Sequence, residues 1–100
     1  MPYFVYILYS KSTDLFYKGQ TSNVVERLLR HNQKRELATA AGAPWVLLWK
    51  TSKQTRSDAL LLERKLKNLD RSRLIAFMKK YNDEIAGPDE LLLIDQLSGC

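Results

Sequence analysis

The chain has 100 residues, of which 45% are hydrophobic and 27% charged, which predicts one ordinary globular domain. Its apolar stretches are far shorter than the about 20 residues that a transmembrane helix needs. No basic segment precedes the first of them, as a secretory leader would require. We therefore expect a cytoplasmic protein with no membrane partner. The single cysteine, Cys100, excludes an internal disulfide framework, and one Cys with one His cannot complete a tetrahedral zinc site.

Charge is unevenly distributed along the chain. Residues 1–82 carry 16 Lys/Arg and 6 Asp/Glu, a net charge of +10, whereas residues 83–100 carry 5 Asp/Glu and no Lys/Arg, a net charge of −5. A basic body favours polyanions through counterion release, although a solvated lysine-rich surface would have the same composition. We predict a domain over residues 1–82 and an acidic tail over residues 83–100, which can fold back on the basic body or form a short helix.

The first half of the chain predicts two strands and a helix. Residues 3–9 are aromatic, β-branched and apolar on both faces, as in a covered central strand. Residues 15–19 form a second strand, and the short loop between the two requires an antiparallel pair. A cap within residues 21–23 begins a helix that runs to about residue 31. The apolar stripe expected for that helix is Val24, Val25, Leu28 and Leu29.

The second half predicts a third strand over residues 45–51, followed by helices. Alternation places Trp45, Leu47 and Trp49 on one face of that strand. A helix from Thr55 or Ser57 to about Leu69 and another from Asp70 or Ser72 follow, and residues 89–97 suggest a short amphipathic helix. The order β-β-α-β-α-α predicts an α+β fold, a three-stranded antiparallel sheet flanked by helices.

Four short features along this order carry the functional signal. Two tripeptides, Phe4-Val5-Tyr6 and Tyr17-Lys18-Gly19, lie on the first two strands, Arg27 lies on the first helix, and Glu63 lies on the second. Phosphodiester hydrolysis needs a group that deprotonates water and a positive charge that stabilises the negative charge growing on the phosphate. It also needs a cation that polarises the phosphoryl oxygen and a group that stabilises or protonates the leaving oxygen. Tyrosine, arginine and a metal-binding glutamate can supply these functions.

The set resembles the GIY-YIG nuclease family, in particular small standalone proteins related to the N-terminal nuclease domain of the excinuclease C subunit. The resemblance implies that Tyr6 helps to deprotonate water, Tyr17 orients the water or the scissile phosphate, and Arg27 stabilises the transition state. It also implies that Glu63 holds one Mg²⁺ or Mn²⁺ ion. Because a tyrosine pKa near 10 is poorly suited to this work at neutral pH, we expect a nearby cation to lower it.

The chain departs from the family pattern at three places. Phe4 replaces the first glycine, Lys18 replaces the isoleucine, and residues 38–43 are small and neutral where a basic loop is common. A downstream polar residue that some relatives use at the metal site has no clear counterpart. The cations expected to bind nucleic acid are Lys18, Arg30, Lys34, Arg35 and Lys67.

Each candidate also has a structural interpretation. Tyr6 and Tyr17 could be core tyrosines, and Glu63 could form an ordinary helix ion pair with Lys67 four residues later. His31, the only histidine, is a further catalytic candidate as a phosphate donor or proton shuttle, or it could be structural. Gly19 could end its strand and permit a turn.

The sequence leaves three functional hypotheses. The first is a metal-dependent DNA endonuclease with a Tyr/Arg/Glu site, acting on duplex, branched or damaged DNA without a small-molecule cofactor. The second is a non-catalytic nucleic-acid-binding module on the same fold. The third is an interaction domain whose acidic tail covers its own basic surface, and the apolar positions of that tail leave a homodimer open.

Overall fold

A computed structural model describes residues 2–99, so the terminal Cys100 lies outside the described residues. These residues form three strands and four α-helices in the order β-β-α-β-α-α-α, with two short 3₁₀ helices at Leu37–Gly42 and Asn82–Glu84. The bounds of the main elements are β1 Tyr3–Ser10, β2 Leu15–Thr21, α1 Val24–Asn32, β3 Trp45–Lys53, α2 Arg56–Lys67, α3 Arg71–Lys80 and α4 Pro88–Ser98. The predicted α+β class and element order are confirmed, with α4 following in the tail.

The sheet has the order β2-β1-β3, and both pairs are antiparallel. The central strand β1 is buried from Val5 to Ser10 because helices cover the sheet on both faces. Tyr6 lies opposite Gly19 and Leu8 lies opposite Tyr17, so these four residues share one face. Register therefore brings both tyrosines of the predicted site to the same side of the sheet.

Short polar side chains cap three of the helices. Asn23 accepts a hydrogen bond from the Glu26 amide at 3.1 Å, and Thr55 accepts one from the Asp58 amide at 3.1 Å. Asp70 caps α3 in the same way at 2.8 Å from the Arg73 amide. Each satisfies an amide that the helix itself leaves without a partner.

The predicted apolar stripe of α1 is wrong in two of its four positions. Val25 and Leu29 are 77% and 53% exposed, whereas Val24 is buried and Leu28 half-buried. The buried face instead runs through Val24, Leu28 and His31, which recur at helical spacing. The helix presents this face to the sheet because His31, although polar, has hydrogen-bond partners inside.

The predicted face of β3 is also wrong. A β-bulge shifts the pairing with β1, so that Ile7 lies opposite Trp49 while Leu8 lies opposite Leu47. The extra residue reverses the alternation between them. As a result, Trp45 and Leu47 pack with Tyr6 on one face, and Trp49 packs in the core on the other face.

The two sheet faces bury different clusters. The core face packs against α2, α3 and α4, and its buried residues include Val5, Ile7, Leu48, Trp49, Ala59, Leu66, Leu74, Ile75, Met78 and Ile94. The site face is smaller, with Tyr6, Leu8 and Trp45 buried and Tyr17, Leu28, Ala43 and Leu47 packed around them.

The acidic tail packs on the core face. Ile94 of α4 is fully buried there, and Asp95 pairs with Lys79 of α3 at 3.5 Å. The Ala86 amide donates to the Leu48 carbonyl at 2.9 Å, which ties the start of the tail to β3. Among residues 2–99, none of the helices has both the length and the apolar character needed to cross a bilayer.

Candidate active site

Tyr6 and Gly19 form the base of the site. The Tyr6 side chain is only 1% exposed, and its ring lies over Gly19 of the neighbouring strand. A Cβ at Gly19 would lie 2.7 Å from the Tyr6 hydroxyl and 3.0 Å from the Tyr17 ring, closer than real contacts allow. Gly19 lies inside β2 and not at its end, so it serves this close approach rather than the expected turn.

A buried hydrogen-bond chain begins at the Tyr6 hydroxyl. Tyr6 Oη lies 3.0 Å from Nε2 of His31, and Nδ1 of the same imidazole lies 2.8 Å from the Thr39 hydroxyl. His31 is 0% exposed and Thr39 is 3% exposed. His31 on α1 therefore links Tyr6 of the sheet to Thr39 of the first 3₁₀ helix.

Tyr17 lies beside this chain and is half-buried. Its ring centroid is 4.9 Å from that of His31 and 6.2 Å from that of Tyr6. An edge contact with Trp45, at 6.3 Å between centroids, supports it from β3. Tyr17 thus occupies the more accessible position of the two predicted catalytic tyrosines.

Arg27 and Glu63 both act electrostatically on the Tyr6 phenol. Burial raises the pKa of Tyr6 well above its usual value, and the neighbouring Tyr17 raises it further. The Arg27 guanidinium lowers the pKa of Tyr6 but does not outweigh burial, and the Glu63 carboxylate raises the pKa further. The expectation that a nearby cation lowers the Tyr6 pKa overall is therefore wrong, because desolvation of the phenolate is the larger effect.

The environment of His31 favours a neutral imidazole. Burial lowers the pKa of His31 below its ordinary value, and the positive charges of Arg27 and Arg30 lower it further. The Glu36 carboxylate acts in the opposite direction but does not reverse the shift. A neutral imidazole in contact with a phenol can accept its proton.

Glu63 lies on α2 with its side chain 14% exposed, and its Oε2 atom pairs with Lys67 Nζ at 3.1 Å. Within residues 2–99, no group of three or more His, Cys, Asp or Glu side chains gathers in a way that could hold a metal ion. A lone carboxylate does fit Mg²⁺, which keeps several of its waters and binds through one or two carboxylates. In the present arrangement the Glu63 carboxylate is paired with the Lys67 ammonium.

The predicted nucleic-acid-binding cations are dispersed. Lys18 lies opposite Ile7 on β1 and therefore projects on the core face. Burial lowers the pKa of Lys18, and the positive charge of Lys67 lowers it further. Arg30 pairs with Glu36 at 3.1 Å. Lys34 and Arg35 are exposed just after α1, where they extend the positive charge of Arg27 and Arg30.

Two residues that the sequence analysis did not single out hold the site together. Thr39 supports His31 and accepts a hydrogen bond at its carbonyl from Trp45 Nε1 at 2.8 Å. Asn32 accepts from the Trp45 amide at 2.5 Å and donates to the Trp45 carbonyl at 3.2 Å, which joins α1 to β3. In the sequence, Thr39 differs from the other residues of the stretch 38–43 only in having a polar side chain, which does not by itself indicate a role in the site.

The family model for the GIY-YIG catalytic domain matches residues 2–82 of the chain. The chain belongs to the GIY-YIG family. This is a nuclease family, which implies a nucleic-acid substrate and, in general, a divalent metal. The matched residues include every predicted site residue, whereas α4 lies beyond them.

The fold is also similar to that of a solved structure. The solution NMR structure of the UPF0213 protein BH0048 from Bacillus halodurans has a TM-score of 0.56 and 26% sequence identity to this chain. The match covers 90% of this chain and 92% of that one. The comparison with curated proteins gave no match.

Proposed function

We propose that this GIY-YIG protein is a metal-dependent endonuclease that hydrolyses phosphodiester bonds in DNA. The observation that carries the proposal is the buried 3.0 Å contact between Tyr6 Oη and His31 Nε2, within electrostatic reach of Arg27 and Glu63. A tyrosine placed in a core for packing alone has no need of an imidazole at its hydroxyl or of two charged side chains that act on its pKa.

In this proposal, Tyr6 and His31 together deprotonate the attacking water. A phenol with a raised pKa is a poor base alone, since a free phenolate would be costly in its buried position. If Tyr6 passes its own proton to His31 Nε2 as it takes one from water, no lasting phenolate is required. The neutral imidazole, whose pKa is lowered, is the final acceptor.

Arg27 and Tyr17 act on the phosphate. A guanidinium offers planar paired donors that match phosphate oxygens, and Arg27 is placed to offset the charge that grows on them. Tyr17 orients the water or the scissile phosphate from its half-buried position beside His31.

Glu63 is the residue that would hold Mg²⁺ or Mn²⁺. Such an ion, when bound, polarises a phosphate oxygen and stabilises the leaving oxygen. Lys67 must then leave the Glu63 carboxylate, and an ion pair on one helix of this kind contributes only about 0.3–0.5 kcal/mol. The freed Lys67 ammonium can contact nucleic-acid phosphate, together with Arg30, Lys34 and Arg35.

Cleavage assays on single-stranded, duplex, branched and damaged DNA test the proposal. Wild type and Glu63→Ala are compared in Mg²⁺, in Mn²⁺ and with a chelator, and Glu84→Ala serves as an exposed glutamate control. We expect cutting by wild type and the control only, and only with metal. Equal cutting by Glu63→Ala would remove Glu63 from the site.

A non-catalytic nucleic-acid-binding module is the second candidate. The observation in its favour is the Glu63–Lys67 pair, because Lys67 neutralises the one carboxylate available for metal. Salt-sensitive DNA binding by wild type, without cleavage of any substrate in either metal, would favour this candidate.

A further inference from the structure

Thr39 is held in place by its backbone, independently of its hydroxyl. Its amide donates to the Glu36 carbonyl at 3.1 Å, and its own carbonyl accepts from the Trp45 indole at 2.8 Å. The hydroxyl makes two further contacts, one to the Glu36 carbonyl at 3.3 Å and one to His31 Nδ1 at 2.8 Å. The side chain is therefore free to serve His31 without being needed to build the 3₁₀ helix.

Counting hydrogens along this chain selects one tautomer of His31. If Nδ1 carries the proton, it donates to Thr39, the Thr39 hydroxyl donates to the Glu36 carbonyl, and the Tyr6 hydroxyl donates to Nε2. All three hydrogens then have acceptors. If Nε2 carries the proton, it donates to Tyr6, and none of the described contacts gives the buried Tyr6 hydroxyl an acceptor of its own.

The tautomer with the proton on Nε2 costs more free energy than the one with the proton on Nδ1. A buried donor left without an acceptor destabilises a protein by about 1–3 kcal/mol. Before a substrate and its attacking water bind, the Tyr6 side chain is 1% exposed, so solvent does not offer its hydroxyl the missing acceptor. The geometry of the chain thus favours a proton on Nδ1 and a lone pair on Nε2.

We propose that Thr39 is a positioning residue, whose hydroxyl accepts the Nδ1 proton of this tautomer and so keeps the His31 Nε2 lone pair directed at Tyr6. The inference rests on the proposed function, in which Nε2 receives the Tyr6 proton during hydrolysis. Thr39 touches neither substrate nor reacting atoms, and it acts only through the imidazole. This role of Thr39 gives the stretch 38–43 a function in the site although the stretch lacks the basic residues that would bind DNA.

The test compares wild type with Thr39→Val and Thr39→Ser. Valine keeps the shape and the backbone hydrogen bonds but has no atom to accept from Nδ1, whereas serine restores the hydroxyl. Because His31 is the only histidine, ¹⁵N NMR of the imidazole reports its tautomer without ambiguity. Single-turnover cleavage kinetics supply the rate and the KM for each protein.

We expect wild type and Thr39→Ser to carry the proton on Nδ1, and Thr39→Val to shift it toward Nε2. We expect kcat of Thr39→Val to fall roughly 10- to 100-fold, as is typical when a partner that orients an imidazole is lost, with KM unchanged. Thr39→Ser should recover most of that loss.

A proton on Nε2 in wild type overturns the inference, as does a Thr39→Val protein that keeps both the Nδ1 proton and its rate. Should Thr39→Val not fold, Thr39→Ala, which also lacks the hydroxyl, takes its place in the same measurements. If wild type cuts no DNA while Nδ1 carries the proton, the nuclease proposal fails but the hold of Thr39 on His31 stands.

Discussion

The two faces of the sheet bury different chemistry against the same central strand. On the core face, β1 contributes Val5 and Ile7 to an apolar cluster closed by three helices. On the site face, Tyr6 points into a smaller cluster and reaches the buried polar pair His31 and Thr39. Alternation along a single strand therefore separates an apolar cluster that stabilises the fold from the buried polar contacts of Tyr6 on which our proposal rests.

The difference extends to the tyrosines of β1. Tyr9, on the core face, donates to Asp14 at 2.6 Å, and Asp14 is held in turn by both terminal nitrogens of Arg71 at 2.9 and 3.0 Å. That cluster fastens the β1–β2 hairpin to the start of α3. Tyr6 contacts an imidazole instead, so one hydroxyl anchors the fold and the other is the one that we propose passes its proton to His31.

Truncation on the core face should give the largest loss of stability. Leu66 is 0% exposed, and Leu66→Ala should lower the free energy of unfolding by about 2–5 kcal/mol through lost burial and a cavity. Denaturant unfolding measures this, with Leu92→Ala, at a position that is 61% exposed, as the control. A loss as small as that of the control would mean that α2 does not close the core.

Crowding the site face should cost less stability but disturb the site. Gly19→Ala places a methyl group 2.7 Å from the Tyr6 hydroxyl, and overpacking of this kind costs about 1–3 kcal/mol. Gly87→Ala is the matched control, because its new methyl group meets only a movable Glu90 carboxylate. We expect Gly19→Ala, and not Gly87→Ala, to alter the NMR signals of His31; unchanged signals would contradict the close contact.

Acid should act on the site face through His31. Burial lowers its pKa, so a titration of its NMR signals should give a midpoint below 6.5. The folded protein then binds this proton more weakly than the unfolded chain, and the stability that neutral His31 contributes is full above about pH 6.5 and falls below it. The charges that bear on this titration are those of Glu36, Arg27 and Arg30. A midpoint above 6.5 would show that Glu36 outweighs burial.

The smallest effect concerns the end of α1. Lys34 has a positive φ of 61°, and the Arg35 amide donates to the Arg30 carbonyl at 3.0 Å across the end of the helix. Lys34→Gly should raise the free energy of unfolding by less than about 1 kcal/mol, because glycine avoids the roughly 1–2 kcal/mol cost of this conformation but loses roughly 0.5–1 kcal/mol more entropy on folding. The same change should reduce the salt dependence of DNA binding by about one ion if Lys34 contacts phosphate. Lys11→Gly, at an exposed lysine of the hairpin loop, is the control for lost charge.

Local signals predicted much of the fold. Asn23, Thr55 and Asp70 cap helices through contacts within three residues, which are visible in the sequence. The two tripeptides, Arg27 and Glu63 were found because the family pattern fixes their order and spacing. The structure brings both charged residues within electrostatic reach of Tyr6.

The errors come from features that depend on tertiary packing. The bulge that reverses the alternation of β3 follows from its pairing with β1, and nothing near Leu48 in the sequence announces it. Val25 and Leu29 satisfy helical spacing as well as the buried positions do, so only the partners of His31 select the face. The raised pKa of Tyr6 reflects burial by residues distant in sequence.

The measurement that tests the account most directly is single-turnover DNA cleavage in Mg²⁺ by Tyr6→Phe and Tyr9→Phe. Both changes remove one hydroxyl from a buried tyrosine of the same strand, on opposite faces. Tyr6→Phe should lose about 10²- to 10⁴-fold in rate, the usual contribution of general base catalysis, while Tyr9→Phe should cut at the wild-type rate once folded. Equal rates in the two variants would contradict the assignment of chemistry to the site face.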